Sequence, residues 1–128
     1  MPKGRRRALT GRWVGAGYQA EGVDGGPPLD AKLILDITAH SKTVKATGEY
    51  TSKVGATEEH TKFAMEGGFF HDRFLKFDYK NTDDTAIQFG AITAELSPDG
   101  RTIRGRYIGY GPFSERLVNG SIELHKQV

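Results

Sequence analysis

The chain has 128 residues, enough for one domain that buries roughly two-thirds of its unfolded surface. Hydrophobic residues make up 37% and charged residues 27%, which excludes a disordered polar chain, and no stretch approaches the roughly 20 apolar residues of a membrane span or forms the core of a secretory signal. Cysteine is absent, excluding disulfides and thiolate chemistry, and the net charge of +2 falls to −2 once Lys3, Arg5, Arg6 and Arg7 are removed, so the body lacks the basic surface that binds duplex nucleic acid.

Residues 1–8 form a basic head, and residues 9–128 carry a period-two pattern that predicts eight strands. In chain order these are Leu9–Gln19, Ala31–Ala39, Thr43–Thr51, Glu59–Glu66, Phe69–Lys80, Ala86–Ser97, Thr102–Tyr110 and Glu115–Lys126. The second alternates cleanly, with Leu33, Leu35 and Ile37 on one face and Ile34, Asp36 and Thr38 on the other. No segment keeps a helical stripe. Short turns are expected at His40–Lys42, Gly67-Gly68 and Pro98–Gly100, and longer connections at Ala20–Asp30, Ser52–Glu58, Asn81–Thr85 and Gly111–Ser114. In an antiparallel meander, successive connections alternate between the two ends. The tight turns therefore collect at a floor and the longer loops at a mouth. The expected fold is an all-β, eight-stranded antiparallel up-and-down barrel, whose closure removes both sheet edges; a two-sheet sandwich is the structural alternative.

With the Leu33 face inward, the interior holds Trp13, Leu35, Ile37, Val44, Ala46, Phe63, Met65, Leu75, Phe77, Ile92, Leu96, Ile103, Val118, Ile122 and Leu124, interspersed with glycines. Those glycines either relieve strand bending or leave a cavity, and Gly17 and Gly109, nearest the mouth, are the expected cavity formers. Near the mouth the inward positions turn polar: Gln19, Tyr50, Thr61, Tyr79, Gln88 and Tyr107, flanked by Tyr110 and Arg116. Aromatic faces with a few hydrogen-bonding ends suit a flat heteroaromatic ligand, although tyrosines also favour wet barrel rims for packing alone. At the floor Arg73, on the predicted face of Leu75 and Phe77, is expected to stack on Trp13, or else to meet an anionic ligand deep in the barrel.

The four histidines, His40, His60, His71 and His125, have no metal-ligand spacing. No nucleophile elbow or phosphate-binding glycine loop is present, and the acidic pairs Glu58-Glu59, Asp72/Asp78 and Asp83-Asp84 fall at loop or outward positions. Binding outranks catalysis, and no cofactor or metal is expected.

Two resemblances add to this. Gly11-Arg12-Trp13 at the start of the meander resembles the G-x-W opening of calycins, the lipocalin and avidin group, although the repeated tryptophans of avidin are absent. The segments Leu9–Tyr18, Phe69–Tyr79, Gln88–Leu96 with the turn to Arg101, and Gly105–Gly111 resemble the β-barrel sensors of bacterial CBASS antiphage effectors, which follow two membrane helices and bind a cyclic dinucleotide in a role parallel to STING. That resemblance implies a cytoplasmic sensor whose basic head adjoins a membrane only through segments not in this chain, and which self-associates on binding ligand.

The leading expectation is a cyclic-dinucleotide sensor. Tyr50, Tyr79, Tyr107 and Tyr110 are its stacking candidates, Gln88 a polar contact, and Arg116, Lys53 and Lys62 its phosphate partners, with Arg73 as a deeper option. The rival is a calycin-like carrier of a small apolar or aromatic metabolite, which predicts an apolar cavity below the mouth where the sensor predicts a shallow polar pocket. A third reading, a barrel isomerase or cyclase, needs a buried acid or histidine at the mouth, for which His60 and Glu115 are the candidates.

Overall fold

A computed structural model describes residues 7–19, 29–40, 43–54, 57–82, 87–111 and 117–127. Eight strands follow in order: β1 (Gly11–Gln19), β2 (Leu29–His40), β3 (Thr43–Val54), β4 (Thr57–Phe70), β5 (Phe74–Asn81), β6 (Phe89–Leu96), β7 (Thr102–Tyr110) and β8 (Leu117–Lys126). Each pairs antiparallel with the next, and β8 pairs with β1, Ile122 opposite Gly17, so the sheet is a closed barrel rather than a sandwich. No helix among the described residues is long and apolar enough to cross a membrane.

The alternation of the sequence becomes the inside and outside of the barrel. All of the expected interior residues except Val118, which is half-buried, are buried, joined by Leu9, Ala31, Phe69 and Ala94. Tight connections lie at the floor, where β2 meets β3, β4 meets β5 and β6 meets β7; the start of β1 and the end of β8 lie there too, and the other strand ends point to the mouth.

The floor differs from the sequence expectation in three respects. Residues 7–9 form one helical turn, not the start of β1, and Gly11, at φ 136°, lets the chain swing from that turn into the strand. The turn between β4 and β5 is not Gly67-Gly68 but His71–Arg73, with His71 and Asp72 in the left-handed region at φ 52° and 56°, residue types that tolerate it. Gly67 lies within β4 opposite Phe77, where a Cβ would fall 1.7 Å from the Lys76 carbonyl oxygen, so this glycine serves close strand approach. Because β5 starts only at Phe74, Arg73 is in the turn and outside the alternation that would have turned it inward. It is exposed, ion-paired with Glu95, and its guanidinium sits 5.1 Å from the Phe74 ring centre.

The cation on Trp13 is instead Lys126, at the end of β8. Its Nζ lies 5.1 Å from the indole centre and donates to the Ala8 and Thr10 carbonyl oxygens. Trp13 Nε1 donates to the Leu9 carbonyl at 2.8 Å. With Leu9 and Trp13 fully buried, this knot ties the N-terminal turn across the closed end. Burial lowers the Lys126 pKa from its ordinary value.

Candidate functional site

At the mouth end, strand alternation sends Tyr50 from β3, Thr61 from β4, Tyr79 and Asn81 from β5, and Tyr107 from β7 to the inside, and Gln88 joins them just before β6. Beneath these side chains is a cavity of about 60 Å³. Its walls are Gly17, Leu33, Leu35, Phe63, Met65, Ile92 and Ile122, and its rim is Tyr50, Tyr79, Tyr107 and Gln88. The rim is polar and neutral; among the described residues no cation, carboxylate or histidine lines the cavity.

Tyr79 and Tyr107 lie against the inner wall because glycines make room for them. Tyr79 stands opposite Gly90, and Gly90 stands opposite Gly109. A Cβ on Gly90 or Gly109 would come within 2.6 or 2.5 Å of the Tyr79 hydroxyl oxygen. Tyr107 likewise stands opposite Gly120, and its hydroxyl reaches to 3.5 Å from the Tyr18 carbonyl oxygen on β1. Gly109 is thus filled by a tyrosine and is not a cavity former. Gly17 is one: a Cβ there would meet nothing nearer than Leu33 Cδ1 at 3.5 Å and Ile122 Cγ2 at 3.9 Å.

Burial disfavours the phenolate at each rim tyrosine. It pushes Tyr79 up to about 12, with the Tyr50 charge adding to the rise. Tyr107 is raised by burial and then by Tyr50 and Tyr79, while burial raises Tyr50 against a hydrogen bond with Ser52 that works the other way. The rim therefore presents neutral hydroxyls at physiological pH.

A second polar group lies beside the tyrosines. Asn81 Nδ2 donates to Thr61 Oγ1 and, at 3.2 Å, to Gln88 Oε1, and Asn81 N donates to the Gln88 carbonyl at 2.8 Å. Thr61 and Gln88 are both buried. Side chain and main chain together fix Gln88 at the cavity edge.

No protein-family profile and no curated protein matches the sequence. Among solved structures, that of EF1p2_mFAP2b bound to DFHBI is similar, with a TM-score of 0.74 over 94% of this chain and 95% of that one, at 11% identity. The likeness is one of fold. This chain is an eight-stranded antiparallel barrel of the same architecture as a protein that binds a small molecule.

Of the residues expected at the site, Tyr50, Tyr79, Gln88 and Tyr107 come together at the rim. Tyr110 does not: two-residue alternation from Tyr107 and Gly109 turns it outward, where its ring stacks on Phe89 at 5.9 Å and 4° beside exposed Leu117. Arg73 is at the opposite end of the barrel. Lys62 faces outward on β4, and His60, also outward, pairs with Glu58 at 3.0 Å. Arg116, Glu115, Asp83 and Asp84 lie outside the described residues, as do residues 1–6 of the head and the side chains of Gln19 and Lys53. Sequence reasoning missed Ser52 and Asn81 by assigning both to loops. The signal was present, since each extends an inward alternation by one step, Tyr50 to Ser52 and Tyr79 to Asn81.

The outside of the barrel carries a larger but open groove over β2–β5, about 820 Å³, bordered by Asp36, Lys45, Glu66, Asp78 and Lys80. Its border is charged and it lies open to solvent on the outer face, so it does not enclose a ligand as the interior cavity does. No group of three or more metal-ligating side chains occurs among the described residues.

Proposed function

We propose that this barrel binds a small, neutral, predominantly apolar ligand, of the size of one aromatic ring, in the mouth cavity, as a calycin-like carrier or receptor of an aromatic metabolite. The observation that carries this reading is the apolar wall of Leu33, Leu35, Phe63, Met65, Ile92 and Ile122 under an uncharged rim. Such walls with a few placed polar groups are the usual make-up of small-molecule sites. The bound DFHBI of the structural neighbour supports the same use of the fold. The cavity of about 60 Å³ is smaller than the ~150 Å³ of an apolar cavity that takes benzene. A ring therefore enters by turning a rim tyrosine aside. The reading involves binding without catalysis.

A second reading, a cyclic-dinucleotide sensor in antiphage defence, is favoured by the three tyrosine rings at the rim. Such a ligand is too large for the cavity and would lie across the mouth, stacked on those rings, with Arg116 and Lys53 as the cations for its phosphates. Self-association on binding and a position next to a membrane belong to this reading alone. Calorimetry with single-ring neutral compounds and, separately, with a panel of cyclic di- and trinucleotides decides between them. Binding of the first group alone supports the small-ligand barrel. Binding of a cyclic nucleotide alone overturns it in favour of the sensor.

A further inference from the structure

The cavity walls are apolar, and among the polar groups of its rim one is unbalanced. Gln88 is buried, 9% exposed. Its oxygen accepts from Asn81 Nδ2 at 3.2 Å. Its nitrogen, with two N–H donors, has no hydrogen-bond partner among the described residues, although Gln88 lines the cavity. With Asn81 Nδ2 donating to both Thr61 Oγ1 and Gln88 Oε1, the Gln88 carbonyl is turned to the wall and its NH₂ is left for the cavity side. The main-chain bond from Asn81 N to the Gln88 carbonyl fixes the backbone that carries it. Buried amide donors are rarely left unmade in native proteins, because an unmade one forfeits its hydration without replacement.

Resting on the small-ligand reading of this cavity, we infer that Gln88 is its specificity-determining residue: its amide N–H selects ligands that carry a hydrogen-bond acceptor, a ketone or aldehyde oxygen or a ring nitrogen, on an otherwise apolar ring. A carboxylate or phosphate ligand is disfavoured, since no cation among the described residues lines the cavity and burial there penalises charge. Thr61 and Asn81 are positioning residues that act through Gln88.

The test uses the whole chain and three probes of similar size: ethylbenzene, which has no polar group; acetophenone, which adds a carbonyl acceptor; and aniline, which adds a donor. Affinities are measured by protein-observed NMR titration. Acetophenone is expected to bind about 3- to 10-fold more tightly than ethylbenzene, the worth of one hydrogen bond to a buried neutral donor. Gln88→Met, close in shape, is expected to abolish that preference while retaining ethylbenzene binding, and Gln88→Leu is a second apolar replacement should Gln88→Met lower the melting temperature too far. The wild-type comparison needs no variant. Equal binding of ethylbenzene and acetophenone to the wild type, or a preference that survives in Gln88→Met, overturns the role of Gln88 and leaves the cavity reading standing. A preference for aniline overturns it as well, because it requires the carbonyl of Gln88 to face the cavity. Absence of binding by all three probes overturns the cavity reading itself.

Discussion

Gly15 and Gly17 both face inward on β1, two residues apart, and the structure assigns them opposite responses to the same methyl group. At Gly17 an added Cβ meets Leu33 Cδ1 at 3.5 Å and Ile122 Cγ2 at 3.9 Å, ordinary contact distances, and projects into the cavity. Gly17→Ala therefore buries one apolar carbon, about 0.8 kcal/mol, and restricts the unfolded chain, about 0.4–1 kcal/mol, for a stabilisation of about 1–2 kcal/mol. An unfolding entropy of roughly 2.1 cal/mol/K per residue over 128 residues turns this into a rise in Tm of about 4–7 °C. At Gly15 the Cβ would stand 1.8 Å from the Glu123 carbonyl oxygen and 2.8 Å from Leu124 Cα, both main-chain atoms of the paired strand β8. That clash is relieved only by separating β1 from β8, so Gly15→Ala destabilises by at least ~1–3 kcal/mol. Differential scanning calorimetry on the two variants, with an ethylbenzene titration of Gly17→Ala, checks both halves. Gly17→Ala is expected to melt higher and to bind the probe more weakly, because the methyl takes up space in the cavity. A lowered Tm for Gly17→Ala, or equal melting of the two variants, would refute the account of a space at Gly17.

The remaining predictions concern the rim and the floor. Tyr79 is raised from 10.0 in the unfolded chain to about 12 in the fold, so its contribution is complete below pH 10 and disappears as pH rises towards 12. Urea titrations at pH 9 and pH 12 should show a loss for the wild type that exceeds the loss for Tyr79→Phe by up to about 2–3 kcal/mol, at 1.36 kcal/mol per unit. Lys126→Met removes two charge-assisted hydrogen bonds to the N-terminal turn and the contact with the Trp13 ring; it should cost about 1–3 kcal/mol and red-shift Trp13 fluorescence as water reaches the floor. Arg73→Ala should leave probe affinity unchanged and Tm nearly so, because the residue is an exposed surface ion pair far from the mouth; calorimetry of binding and unfolding reads both.

The barrel was legible in the sequence because its strands are buried on one face only. Leu33, Leu35 and Ile37 against Ile34, Asp36 and Thr38 fix the register of β2, and comparable alternation fixes its neighbours. The β4–β5 turn was not, because a glycine pair reads as a turn whether it serves dihedral freedom or close strand approach. At Gly67 it serves approach, and the true turn uses His71 and Asp72, which carry no such signal. That misplacement also turned Arg73 inward and hid Lys126, whose position over Trp13 depends on the pairing of β8 with β1 across the closure. At the rim, parity alone located Tyr50, Tyr79 and Tyr107. The seating of Tyr79 over Gly90 and Gly109, and of Tyr107 over Gly120, depends on which strands are neighbours, and no single strand shows it.

The proposed ligand enters the barrel at its mouth and does not settle in the outer groove. Methyl-resolved NMR with ethylbenzene tests this directly. Shifts are expected in the methyls of Leu33, Leu35, Met65, Ile92 and Ile122, with nuclear Overhauser contacts from the probe to those groups and to the Tyr79 ring. Probe contacts confined to Thr38, Thr47 and Ala64 along the outer groove, with the interior methyls unmoved, would contradict it.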